Sequence, residues 1–171
     1  MDTEGPGVVP TPSQTSGPLW GFALMFEGSE NAVDPDGPGA IRLEGRVFDG
    51  NGPLAYPDCL LEVWQGEQWA RGRTDKEGRF RFVVRKPEPA PTPDGDPQAP
   101  HLNVTVFSRG LLKQCPTRIY FPDEEEANAA DPVLQLVPEE RRHTLVASGE
   151  DGVLRFDIHL QGEQETVFFA V

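Results

Sequence analysis

The stretch IRLEGRVFD, residues 41–49, alternates apolar and polar side chains with a period of two. A β-strand with one buried face requires that period, because successive side chains leave opposite faces of the pleat. DGNGP (49–53) follows as a turn, where glycine takes positive φ without a steric penalty. Outward from there, DCLLEVWQ (58–65) reads as a second strand, and RTDKEGRFRFVVR (73–85) as a turn followed by another alternating stretch. HLNVTVFSRG (101–110), TRIYF (117–121), LRFDIHL (154–160) and TVFFAV (166–171) continue the series, rich in β-branched and aromatic residues. Only DEEEANAAD (123–131) invites a short helix, its acids placed at the end where the helix dipole favours them. Many short strands with almost no helix predict an all-β chain, an antiparallel β-sandwich with long loops.

The flanking segments differ in composition. Residues 1–18, MDTEGPGVVPTPSQTSGP, are small, polar and proline-rich, and cannot supply a core of their own. WGFALMF (20–26) is apolar and short enough for a strand or an anchoring segment, and residues 27–40 return to Gly, Pro, Asp and Asn. The expected division is a partner-contacting N-terminal arm over 1–40 and a sandwich domain over 41–171. KPEPAPTPDGDPQAP (86–100) carries prolines at 87, 89, 91, 93, 97 and 100, a density that excludes helix and sheet interior and predicts an extended loop.

At 171 residues the chain can bury one core without staples. Its 18 Gly and 18 Pro agree with abundant loops, and its net charge of −13 argues against nucleic acid or an anionic membrane as a partner. The N-terminus lacks a basic, apolar leader and no run approaches a membrane span, so the expected location is cytoplasmic. Cys59 and Cys115 are far apart and read as small apolar residues.

A mononuclear metal site needs several donors converging on one point. The three histidines, His101, His143 and His159, are dispersed. His101 and Asn103 lie two apart on one strand and so share a face, the spacing of a metal-gripping pair, but an amide is a poor ligand for a transition metal. Only Tyr56 and Tyr120 could offer a phenolate. Neither a nucleophile elbow nor a phosphate-binding loop is present. Arg109, at the end of the strand that His101 opens, has the geometry to grip a carboxylate through two parallel hydrogen bonds.

Taken in order, TPSQTSGP (11–18), GRVFDGNG (45–52), LEVWQ (61–65), APHLNVTVFSRG (99–110), TRIYFPDEEEANAADPVL (117–134) and RFDIHLQGEQETVFF (155–169) resemble the intradiol ring-cleaving dioxygenases. The likeness is to the α subunit of members built from two related chains. It implies a sandwich of the intradiol type with an extended N-terminal arm. It also implies a β subunit as partner, a larger (αβ)n oligomer, and a ferric ion held by that β subunit through two tyrosines and an H-x-H pair. His101-Leu102-Asn103 matches the pair with its second ligand missing, making His101 and Asn103 vestigial metal-site positions, and this chain would hold no metal and no catalytic residue. The resemblance further implies that Thr15, Gly17, Pro18 and Arg109 line the partner's pocket. There protocatechuate (3,4-dihydroxybenzoate) would be cleaved with O2 to 3-carboxy-cis,cis-muconate in the β-ketoadipate pathway. The alternatives are a stand-alone iron-dependent catechol intradiol dioxygenase and a non-enzymatic β-sandwich binding module.

Overall fold

The computed structural model describes residues 11–17, 19–50, 52, 53, 59–149 and 152–170. The strands are β1 (Ala40–Asp49), β2 (Gly52–Pro53), β3 (Cys59–Gln65), β4 (Gln68–Arg73), β5 (Arg79–Arg85), β6 (Ala90–Pro91), β7 (Pro97–Gln98), β8 (His101–Ser108), β9 (Cys115–Tyr120), β10 (Val153–Arg155) and β11 (Ile158–His159). Among the described residues three short α-helices accompany them, α1 (Trp20–Ala23), α2 (Glu125–Ala130) and α3 (Glu139–Arg142).

The strands form two main sheets, and β6 pairs with β7 as a small separate ladder. One sheet has the order β4-β3-β8-β9 and is antiparallel throughout. The other is built on β1, which pairs antiparallel with β5 from Ala40↔Arg85 to Arg46↔Arg79 and receives β10 and then β11 in parallel. The sandwich is therefore mostly, not wholly, antiparallel. Leu43, Val47, Phe82 and Val84 from one sheet meet Leu61, Val63, Leu102, Val104, Val106 and Ile119 from the other in a single buried cluster.

The expected stretch LRFDIHL is two strands rather than one. Between them the Phe156 N–H donates to the Glu44 carbonyl, and the Asp157 carboxylate accepts from the Arg46 N–H, replacing a backbone rung. A Cβ on Gly45 would stand 1.8 Å from the Phe156 carbonyl oxygen, so only glycine admits this crossing.

Three other expectations are corrected. WGFALMF contains one helical turn, α1, not a strand. TVFFAV forms no strand over its described residues: Phe169 N–H donates to the Pro116 carbonyl, but Pro116 has no N–H to return, so a ladder against β9 cannot propagate. The proline-rich loop holds the β6–β7 ladder, with Pro91 opposite Pro97. The strand β4, absent from the sequence reading, follows a tight reversal at Gly66 (φ +59°) that pairs Gln65 with Gln68. The helix expected in DEEEANAAD is α2.

Residues 29–32 stitch the two sheets together along one seam. Ser29 carbonyl accepts from Arg71 of β4, while Val83 of β5 exchanges hydrogen bonds with Glu30 and Ala32.

Candidate functional site

Strand β8 carries both candidate places, one at each end. Leu102, Val104 and Val106 point into the core, so the alternation puts His101, Asn103, Thr105 and Phe107 on the opposite face. Arg109 follows the last residue of the strand. Eight extended residues separate it from His101, roughly 26 Å, so the two cannot serve one small-molecule pocket within this chain.

At the first end His101 is buried, 2% exposed, and lies against Tyr120 with ring centroids 5.6 Å apart. Its Nδ1 is 2.8 Å from the Ala99 carbonyl oxygen, which can only accept, so Nδ1 carries the proton. Nε2 is then the acceptor, and the Gln65 side-chain N–H stands 3.4 Å from it. The Gln65 oxygen in turn accepts from the Asn103 amide at 2.9 Å. One glutamine thus ties the histidine to the asparagine. Burial, helped by the Arg118 guanidinium, lowers the His101 pKa below its usual 6.5 and keeps the ring neutral against the opposing pull of the Ala99 bond.

The rest of this neighbourhood also presents donors. Arg118 donates to Gln98 Oε1 at 2.7 Å and reaches the Tyr120 hydroxyl at 3.4 Å. Tyr120 donates to Asp131 at 3.0 Å, and burial pushes its pKa upward, away from phenolate. Asp131, fully buried, also accepts from the backbone N–H groups of Ala99, Val133 and Leu134.

A ferric ion needs lone pairs facing it. Here the histidine lone pair is met by an amide N–H, Asn103 offers its amide N–H to Gln65, the tyrosine keeps its proton and a guanidinium stands alongside. These residues do not fit the ion. Among the described residues no cluster of three or more His, Cys, Asp or Glu could hold a metal. His143 starts a turn of 3-10 helix, and His159 stacks on Phe48, with centroids 4.7 Å apart, well away in chain and strand from His101.

At the other end Leu111 N–H donates to the Ser108 carbonyl at 3.1 Å, closing a β-turn with Arg109 and Gly110 as its central residues. Gly110 has φ +95°, a value that glycine accepts without strain. Arg109 is exposed on this turn. The arm reaches it: Thr15 Oγ1 accepts from the Gly110 N–H at 2.7 Å and donates to the Ser108 carbonyl at 3.5 Å. Residues 95 apart in sequence are brought together, and the hydroxyl brackets Arg109 on both sides. Gly17 is exposed, and a Cβ there would meet nothing within 4 Å, so this part of the arm lies open. Pro18 and Tyr56 lie outside the described residues.

Gln65, Arg118, Gln98 and Asp131 were not predicted as members of the site. A polar residue closing the apolar strand LEVWQ was the only available signal for Gln65. The others carry none, since their roles depend on cross-strand register, as in Asn103↔Arg118.

No family model matches the chain. The protocatechuate 3,4-dioxygenase alpha chain of Burkholderia cepacia is 40% identical to it, covering 94% of this chain and 97% of that one. The beta chain of the same enzyme and organism is 30% identical, covering 81% of this chain and 72% of its own length. Among solved structures, 3-chlorocatechol 1,2-dioxygenase of Rhodococcus opacus superposes with a TM-score of 0.59 at 19% identity, over 91% of this chain and 69% of that one.

Proposed function

We propose, from the premise that this chain belongs to the intradiol dioxygenases and within them to the protocatechuate 3,4-dioxygenase alpha chains, that it completes a substrate pocket whose iron is held by a β subunit. The observation that carries this reading is the arm's clasp at the surface, where Thr15 bonds to Ser108 and Gly110 on either side of Arg109, about one strand length from a His101–Asn103 face filled by hydrogen-bond donors.

In this reading the substrate is protocatechuate, an aromatic carboxylate, and the reaction is its ring cleavage with O2. Arg109 grips or steers the carboxylate: a planar guanidinium can make two parallel hydrogen bonds, and its positive potential raises the local concentration of an anion. The chain's charge of −13 opposes entry, but exposed charges beyond about 8 Å are screened at physiological salt, so the nearby arginine dominates. Thr15 holds the turn that presents Arg109. Gly17 and Pro18 let the arm's backbone approach a ligand closely in a fixed shape. The chain works in the cytoplasm as part of an αβ assembly, and contributes positioning while the partner carries the chemistry. Among the described residues no helix is long and apolar enough to cross a membrane.

The stand-alone iron enzyme is disfavoured by the donor-filled face around His101, and the non-enzymatic module by the near full-length similarity to a dioxygenase chain. The test is Arg109→Ala in the complex reconstituted with a β subunit. Its KM for protocatechuate should rise at least tenfold with iron content unchanged, as expected for loss of a charged hydrogen bond of about 1.5–3 kcal/mol. Unaltered kinetics would make Arg109 a surface residue.

A further inference from the structure

Beyond the Thr15 clasp the arm meets the sheet again at Arg71 of β4, which grips it at two points. The Arg71 backbone N–H donates to the Ser29 carbonyl at 2.7 Å, and its guanidinium Nη1 donates to the Leu24 carbonyl at 3.4 Å. Leu24 closes α1. Helix ends leave carbonyls without intrahelical donors, and among the described residues the Leu24 carbonyl receives no backbone N–H. The guanidinium is the donor that it meets.

That guanidinium is held from two other directions. Arg71 stands directly opposite Glu62 of β3, and its Nε and Nη2 donate to Glu62 Oε1 at 2.8 and 2.5 Å. Its central carbon also lies 4.8 Å from the centre of the Trp69 ring, two residues back on the same face of β4. A fully exposed ion pair would fix little. Here both side chains are largely covered, 22% and 21% exposed, and two of the three guanidinium nitrogens are taken by one carboxylate oxygen. Nη1 is left for the arm. Lysine, a point charge on a flexible stem, could not serve the carboxylate, the ring and the carbonyl together.

The stretch between the two anchors is short and internally bonded. Leu24 N–H donates to the Trp20 carbonyl at 2.9 Å, Trp20 N–H donates to the Gly17 carbonyl at 3.5 Å, and Trp20 is buried. A shift at Leu24 is therefore passed through one helical turn to Gly17. Thr15 fixes the near end of this stretch and Arg71 the far end.

We infer that Arg71 is a positioning residue for ring cleavage: backed by Glu62 and Trp69, it holds the far end of the arm so that Gly17 meets the substrate in one shape. It touches no substrate itself. Its contribution is to order the arm before the ligand arrives, which removes an ordering cost from binding. This role rests on the reading of the arm as part of the pocket completed for a β subunit, and adds the side chain that sets the arm's geometry from the sheet.

The test uses Arg71→Met, which keeps the aliphatic stem and removes the side-chain donors, Glu62→Gln, which keeps an acceptor without its charge, and the double variant, which leaves no carboxylate unpaired. Hydrogen–deuterium exchange on the full chain alone reads the arm without any partner. Peptides covering Trp20–Leu24 should exchange roughly threefold faster in Arg71→Met, as for loss of one long, exposed hydrogen bond, while β3 and β8 keep wild-type protection. In the αβ complex purified after co-expression with a β subunit, the KM for protocatechuate should rise roughly threefold with kcat, iron content and β content unchanged. Glu62→Gln should give a smaller effect of the same kind, and should add nothing to Arg71→Met in the double variant. Arg71→Lys should not restore the wild-type KM. Wild-type exchange of the arm in both Arg71→Met and the double variant overturns the inference. Faster exchange with an unchanged KM, in a complex where Arg109→Ala still raises KM, overturns it too, since the anchor would then position nothing. Loss of the β subunit from the variants overturns it by making Arg71 an assembly residue. If Arg109→Ala also leaves KM unaltered, the pocket reading itself falls and the role of Arg71 in ring cleavage falls with it.

Discussion

Removing one hydroxyl from the arm, by Thr15→Val, tests whether the arm positions Arg109. The shape of the side chain is kept and only its two hydrogen bonds are lost. The bond from Gly110 N–H is short at 2.7 Å, whereas that to the Ser108 carbonyl is long at 3.5 Å and contributes little. Gly110 is exposed, so its N–H is rehydrated and no buried-donor penalty is added. The net loss is about 1 kcal/mol, equivalent to roughly a fivefold change in the population of the clasped arm. In the αβ complex the KM for protocatechuate should rise about fivefold, with kcat and iron content unchanged, and Thr15→Ser should restore it. A double-mutant cycle adds the decisive arm. If Thr15 acts through Arg109, Thr15→Val should have almost no further effect in an Arg109→Ala background. Equal effects in both backgrounds, or an unchanged KM in the single variant, would refute the reasoning.

Asp131→Ala should destabilise the chain by at least about 3 kcal/mol, because it strands three backbone N–H groups and the Tyr120 hydroxyl at a fully buried position. Urea denaturation reads this directly, and a loss below about 1 kcal/mol would contradict the network. For His101 the folded pKa lies below the ordinary 6.5, so its contribution is complete above pH 6.5. As pH falls below that value the unfolded chain takes up a proton that the folded chain resists, and stability declines until the folded ring titrates. Asp75 and Asp123, with pKa values held below 3.8, lose their contributions only at lower pH. The slope of urea midpoint against pH between 6.5 and 5 should therefore flatten in His101→Gln, and an equally steep slope would remove His101 as its source. Asn103→His, which recreates the H-x-H spacing, should bind no stoichiometric ferric iron, since Gln65 still meets Nε2 of His101 and Tyr120 remains tied to Asp131. Metal analysis after iron loading, with one iron per chain, would show that the asparagine alone had excluded the ion.

Local patterning carries as far as the strands reach. Period-two alternation in IRLEGRVFD, RFRFVVR and HLNVTVFS was enough to specify β1, β5 and β8, because burial of one face is a local property of each segment. The acids leading DEEEANAAD likewise mark α2. Residue identity alone raised the question of His101 and Asn103, since an amide cannot replace an imidazole as a ligand. Pairing is a different matter. The parallel entry of β10 and β11 beside β1 depends on Gly45 admitting the Phe156 carbonyl, a contact between residues 111 apart in sequence. TVFFAV has the composition of a strand, yet the neighbour it meets is a proline without a donor. The sites follow the same division. Residue chemistry singled out Arg109, and the family resemblance pointed to Thr15 and Gly17, but the clasp between arm and turn and the Gln65 tie across His101 and Asn103 are tertiary facts. Each joins side chains from separate strands or from the arm, where geometry depends on how sheets stack and cross, and no local period encodes that.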